Sequence, residues 1–84
     1  NMDEKEIGKV SHWYDKIGVA VTRLTGQLKV GDSIRVRRGD QGFETVVESM
    51  QIDHAEVNFA KAGDEVAIKL SQKAKEGSTL YTVE

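Results

Sequence analysis

Apolar and polar residues alternate with a period of two along most of the chain, the pattern of half-buried β-strands. In residues 32–37, DSIRVR, Ile34 and Val36 face one way and charged side chains the other. Glycine-containing turn signals separate runs of this kind at regular spacing, which favours an all-β barrel or sandwich. The predicted strands are residues 7–13, 17–24, 32–37, 45–52, 65–70 and 79–83. Residues 71–76 are interpreted as a turn or a single helical turn.

Two of these runs, residues 17–24 and 45–52, carry apolar side chains on both faces. Such a strand fits a closed barrel, or a sheet whose outer face is partly covered by neighbouring chain. The clearest turn is Gly-Asp-Gln-Gly at residues 39–42, since glycine and aspartate tolerate positive φ. Gly31 and Gly63 each precede an aspartate and a strand, where positive φ would make a Cβ costly. Leu28 and Val30 are predicted to fold under the barrel end.

The chain of 84 residues is long enough for a single domain spanning residues 1–84. We interpret Asn1 as a residue left by cloning and Met2 as the natural start, which would make this a complete small protein. No apolar run approaches the length of a membrane span, and no signal peptide is visible, so we expect a cytoplasmic protein. The sequence contains no cysteine, which excludes disulfides, thiolate metal sites and cysteine nucleophiles.

The motifs of catalytic and cofactor-binding sites are missing from the sequence. No glycine-rich phosphate-binding loop, zinc-protease motif or serine triad context occurs. His12 and His54 lie far apart in sequence and have no acidic neighbours at metal-ligand spacing, so they are more typical of solvated or core-edge histidines. We therefore expect no catalytic residues, no metal, no cofactor, and no binding of GTP by this chain on its own.

Charge is distributed unevenly, although the formal net charge is only −2. Residues 23–38 hold five basic residues and one acidic residue, whereas residues 40–65 hold seven acidic residues and one lysine. This basic strip could contact RNA phosphates, or it could be a solvated face paired across strands with Glu44 and Glu48. Pairing of the 17–24 and 32–37 strands would gather the strip. Its members are Arg23, Lys29, Arg35, Arg37 and Arg38.

The aromatic residues also have two interpretations. The pair Trp13-Tyr14 could stack on a base or anchor a partner. Alternatively, because adjacent strand residues point to opposite faces, one of the two packs in the core and the other lies on the surface. Phe43, Phe59 and Tyr81 are predicted to be packing residues.

Several strings resemble the second domain of translational GTPases. They are LKVGDSIRV at 28–36, VESMQIDH at 47–54, AKAGDEVAI at 60–68 and GSTL at 77–80, and the set covers nearly the whole chain in the family's order. The resemblance implies the six-stranded closed antiparallel-type β-barrel of elongation factors of the EF-Tu type. In that family, positions matching 49–54 help to form the pocket for the terminal adenosine of aminoacyl-tRNA. Here those positions include Gln51, Asp53 and His54.

A similar order of motifs also ends the collagenase-like peptidases that carry a C-terminal barrel. The two resemblances lead to two hypotheses. In the first, which is the main hypothesis, the chain is a non-catalytic barrel that binds RNA, either tRNA or rRNA, or a ribonucleoprotein partner such as a ribosome-associated protein, with no DNA or membrane partner. In the second, it is a protein–protein adaptor that docks on a GTPase, a peptidase or an RNA-modifying enzyme without contacting RNA. An independent enzyme is the least favoured of the classes considered.

Overall fold

The computed structural model describes residues 4–83, which form ten β-strands. Within these residues no helix is present, and so none that is long and apolar enough to cross a membrane. The all-β prediction is confirmed. The strands are β1 (Glu4–Tyr14), β2 (Val19–Leu24), β3 (Leu28–Lys29), β4 (Ser33–Arg38), β5 (Gln41–Val46), β6 (Ser49–Ile52), β7 (Ala55–Val57), β8 (Phe59–Ala60), β9 (Glu65–Lys69) and β10 (Thr79–Val83).

Eight strands form one sheet in the order β5-β4-β10-β1-β2-β9-β6-β7, and β3 pairs with β8 in a second, two-stranded sheet. All described pairings are antiparallel. The long strand β1 has two register shifts of the kind that bend a strand. Its register with β10 shifts between Glu6 and Gly8, and its register with β2 shifts between Val10 and His12. At Gly8 a Cβ would lie 2.9 Å from the carbonyl oxygen of Arg23, so only glycine fits where β2 crosses so closely.

The core is aliphatic and contains no fully buried aromatic residue among those described. Alternate residues of the main strands point inward, as the period of two predicts. Met50, Ile68 and Leu80 are completely buried. Trp13 and Phe43 pack against the core from its margin and stay half-buried.

The predicted count of six strands and the closed ladder are wrong for residues 4–83, where the larger sheet has eight strands and no pairing joins β5 to β7. The predicted strand 45–52 is divided because the chain changes partner at Val47 and Glu48. The Val47 amide donates to the carbonyl of Asp32, beside β4, and the Glu48 amide donates to the carbonyl of Lys69, in β9. The first part therefore belongs to β5 and the second to β6. The interpretation of Asn1 and Met2 lies outside the described residues.

Two turns of matching sequence, KVGD at 29–32 and KAGD at 61–64, directly precede strands β4 and β9. Gly31 has φ +93° and Gly63 φ +95°, so the predicted need for glycine is confirmed. In each turn an aspartate side chain accepts a hydrogen bond from the amide three residues earlier, at 2.9 Å for Asp32 and 3.1 Å for Asp64. Leu28 is buried as predicted, but Val30 is 37% exposed and does not plug the barrel end.

Candidate functional site

The structure does not gather the predicted basic strip into one surface. Strand β2 pairs with β1 and β9, not with β4, so the expected pairing of residues 17–24 with 32–37 does not occur. Arg23 lies opposite Lys9 and Glu65. The strands β1 and β10 separate it from Arg37. Lys29 lies in the second sheet, opposite Phe59.

Arg35 and Arg37 do share the outer face of β4, but both are paired with carboxylates. Arg35 donates to Glu4 and Glu44, and Arg37 donates to the other oxygen of Glu4. The hydrogen bond with Glu44, followed by the one with Glu4, raises the pKa of the Arg35 guanidinium. Arg37 also lies over the ring of Tyr81, 4.9 Å from its centroid. The pairing with Glu44 agrees with the alternative interpretation of a solvated face paired across strands, but the second partner is Glu4 and not Glu48.

Arg38 differs from these two arginines. Its Nε donates to the backbone carbonyl of Glu76 at 3.0 Å. No carboxylate of residues 4–83 lies within ion-pair distance of its guanidinium. Arg38 therefore belongs to the corner formed by the end of β4 and the loop after β9.

The outer face of β1, β2, β9 and β6 carries apolar side chains where a one-sided sheet would carry polar ones. Val19 lies between Tyr14 and Lys69 across the strands, and Val21 lies between His12 and Ala67. Ile17, in the turn before β2, is 56% exposed, and Tyr14 is 48% exposed. We call this surface the outer apolar face. It forms an open groove of about 590 Å³ lined by Tyr14, Ile17, Val19, Val21, Ser49, Gln51, His54, Ala67 and Lys69.

Polar contacts hold the rim of this face in place. Lys69 donates from Nζ to the carbonyl of Ile17 at 2.8 Å, which extends its aliphatic stem along the groove. The rings of His12 and Tyr14 meet edge to face, with centroids 4.2 Å apart. His12 Nδ1 lies 2.8 Å from a carboxylate oxygen of Glu76. The face therefore presents a fixed apolar floor with a small number of polar groups around it.

The positions that the elongation-factor resemblance singled out lie at one end of the same face. Gln51 is in β6, opposite Ala67, and lines the groove together with His54. Asp53 and His54 form the two-residue turn between β6 and β7, with φ +51° and +66°. Asp53 lines only a smaller neighbouring groove. Positive φ at both positions is the type I′ geometry, which Asn-Gly usually supplies, so the backbone here is strained.

The sequence patterns did not predict two features of the surface, the ion pair between Glu4 and Arg35 and the outer apolar face. Nothing indicated that Glu4 would pair with Arg35, because the two residues are 31 positions apart. The outer apolar face had one signal, the apolar residues on both faces of 17–24. No group of three or more His, Asp or Glu side chains within residues 4–83 could hold a metal ion.

The chain was compared with family models, with curated proteins and with solved structures. No family model matches the sequence. The chain is 43% identical over 77 residues to an uncharacterized protease of Methanocaldococcus jannaschii, and the match covers 90% of this chain and 19% of that protein. The chain thus spans about a fifth of the length of the curated relative it matches.

The solved structures identify the fold. The C-terminal domain of a protein assigned as a U32 peptidase, from Geobacillus thermoleovorans, matches with a TM-score of 0.83 at 17% identity, covering 93% of this chain and 90% of that one. The selenomethionine variant of the same domain also matches at 0.83, with 16% identity and coverage of 90% and 96%. The chain has the fold of that C-terminal domain. These matches support the resemblance to C-terminal peptidase barrels, whereas the resemblance to elongation factors stays a prediction.

Proposed function

We propose that the chain is a non-catalytic docking module whose outer apolar face binds the body of a peptidase-type polypeptide. The observation that carries this proposal is the exposed apolar surface itself. Tyr14 and Ile17 are half-exposed, whereas the outward positions of β4 in the same sheet include the ion-paired Arg35 and Arg37. Apolar area of this kind gains free energy when a partner covers it, at roughly 25 cal/mol per Å².

The relatives point to the kind of partner. In the protein of M. jannaschii, the matched stretch accompanies about four-fifths of the chain that this sequence does not match. A small β-sheet domain next to a much larger body would need one face suited to that body. An apolar floor with a polar rim, of the kind seen around Val19 and Val21, has the composition of an inter-domain contact.

Binding of RNA by the basic strip is the competing hypothesis, and the side-chain geometry supports it less well. Phosphates bind best to cations that have no competing carboxylate. At Arg35 and Arg37 a phosphate would have to displace Glu4, which already accepts from both guanidinium groups. Arg23 and Lys29 lie on other strands and add nothing to that contact.

Affinity capture with matched variants tests the docking proposal. The wild-type chain, Ile17→Glu and Val46→Glu would each be immobilised and exposed to a cell extract, with and without nuclease. Both positions are exposed, at 56% and 48%, so each variant places a new carboxylate on the surface, but only Ile17 belongs to the outer apolar face.

We expect wild type and Val46→Glu to retain a polypeptide with a peptidase body, identified by mass spectrometry, after nuclease treatment and in 0.5 M salt. Ile17→Glu should lose it. Capture that disappears with nuclease would favour the RNA hypothesis instead. Equal capture by all three proteins would show that the outer apolar face is not the docking surface.

A further inference from the structure

The loop that follows β9 presents two lysines from a firmly anchored backbone. Ala74 is completely buried, while its neighbours Lys73 and Lys75 are exposed. The amide of Gly77 donates to the carbonyl of Val10 at 2.9 Å, and the amide of Ser78 donates to the carbonyl of Lys75 at 3.0 Å. Because the buried Ala74 holds the backbone between the lysines and the two hydrogen bonds hold it after them, little backbone entropy would be lost when they bind a ligand.

Arg38 joins the two lysines in a cluster that we call the cationic ridge. Its Nε bond to the carbonyl of Glu76 ties β4 to the loop. Within residues 4–83, no carboxylate lies within 4.0 Å of the charged nitrogens of Arg38, Lys73 or Lys75. This is the opposite of the arrangement at Arg35, so the three neighbouring cations of the ridge are available to contact an anion.

A partly exposed aromatic residue lies on each side of the ridge. On one side, the ridge and Trp13 line an open groove of about 520 Å³, together with Asp15 and Glu76. On the other side, the ridge and Phe43 line a groove of about 190 Å³. The indole Nε1 of Trp13 donates to Asp15 at 3.1 Å, which orients the ring.

The two acidic residues of the larger groove are already engaged. Asp15 accepts the indole bond, and Glu76 lies against His12 at 2.8 Å. They therefore reduce the positive potential of the groove without blocking the ridge. Proteins that bind single-stranded nucleic acids combine cations with neighbouring aromatic rings, so that the phosphates contact the cations and the bases stack on the rings.

We propose that the cationic ridge, flanked by Trp13 and Phe43, binds a short stretch of single-stranded nucleic acid. A base stacks on Trp13, and the adjoining phosphates contact the three cations. The site shares no lining residue with the outer apolar face. It therefore stands or falls independently of the docking function. Three phosphate contacts predict a log–log salt slope of about −2.

The chain reports on this site directly, because Trp13 is its only tryptophan. Its fluorescence would be titrated with octauridylate, with octathymidylate and with inorganic tripolyphosphate at 20 mM salt. We expect saturable quenching by at least one oligonucleotide and none by tripolyphosphate, which has phosphates but no bases. The ratio of the two oligonucleotide affinities measures the contribution of the 2′-hydroxyl.

Two lysine pairs provide matched variants. Lys73→Gln with Lys75→Gln removes two charges from the ridge, and Lys29→Gln with Lys61→Gln removes two charges from the KxGD turns. All four lysines are exposed, so both proteins should melt as wild type does. We expect the ridge variant to bind at least tenfold more weakly with a salt slope nearer zero by about 1.4, and the control to bind as wild type does.

Three results would overturn the proposal. They are the absence of saturable quenching by either oligonucleotide, equal quenching by tripolyphosphate, and an equal loss of affinity in both lysine pairs. The last result would mean that only overall charge matters. Trp13→Leu, followed by anisotropy of a labelled oligonucleotide, should weaken binding about fivefold or more if the ring stacks on a base.

Discussion

Replacement of His54 by glycine should stabilise the protein, although it removes an entire side chain. His54 is the second residue of the turn between β6 and β7, and its φ is +66°. In this left-handed region a Cβ crowds the following carbonyl oxygen, whereas glycine has no such contact. The imidazole is exposed, so its removal costs little packing.

The size of the effect follows from two opposing terms. Relief of the left-handed conformation contributes roughly 1–2 kcal/mol. The greater freedom of glycine in the unfolded chain subtracts about 0.4–1 kcal/mol. The midpoints of the two ranges leave a gain of about 0.8 kcal/mol in the free energy of unfolding. In a domain of this size it corresponds to a rise in Tm of roughly 3–6 °C.

Thermal unfolding followed by far-UV circular dichroism measures this change, with His54→Ala as the control. Alanine removes the ring but keeps the Cβ, so it should leave Tm unchanged or slightly lower. A lower Tm for His54→Gly than for His54→Ala would refute the reasoning, because both variants lack the imidazole and the result would show that removing the Cβ relieves less strain than the added freedom of glycine in the unfolded chain costs. If the outer apolar face is the docking surface, the stabilised variant should also bind its partner less tightly.

Four other substitutions test the turns, the packing and the charges. Gly31→Ala and Gly63→Ala should each cost about 1–2 kcal/mol in urea unfolding, since φ is near +95° at both but the space around each is open; costs near zero would argue against the left-handed turns. Met50→Ala, at a completely buried site, should cost about 2–5 kcal/mol, and a smaller loss would mean that the core collapses around the cavity. Glu4→Gln should lower Tm at low salt and much less in 1 M salt, because it removes the shared partner of two arginines; an unchanged Tm at low salt would mean that the pairs contribute nothing.

The elements that the sequence predicted well are those long enough to show a period. The predicted strand 79–83 coincides with β10, and the predicted strands 32–37 and 65–70 each lie within a residue of β4 and β9 at either end. The strands β3, β7 and β8 have two or three residues each, too few for alternation to be visible. Phe59 shows the consequence. The sequence predicts a packing residue at this position, but Phe59 is 49% exposed in β8.

The strand order was beyond the reach of local patterns, and the candidate sites depend on it. Arg23 lies apart from Arg35 and Arg37 because β10 and β1 lie between β4 and β2 in the sheet. Positive charges close in sequence were thus distributed over three strands. In contrast, Lys73 and Lys75 lie in a segment with no periodicity. They join Arg38 only because the buried Ala74 holds their loop against the core.

The outer surface of the larger sheet is divided between two kinds of chemistry, and under the docking proposal this division determines which surface a partner would cover. Around β4 and β10, the outward cations Arg35 and Arg37 are already paired with carboxylates and face solvent. Covering that surface would remove these charged groups from water, which costs desolvation free energy. Around β2 and β9, the outward residues Val19, Val21 and Ala67 have no polar groups for water to solvate. A partner that covers the second surface and leaves the first in solvent gains apolar burial without breaking an ion pair. Charge variants of Arg35 and Arg37 should therefore leave docking unchanged, whereas a single carboxylate at Ile17 should abolish it.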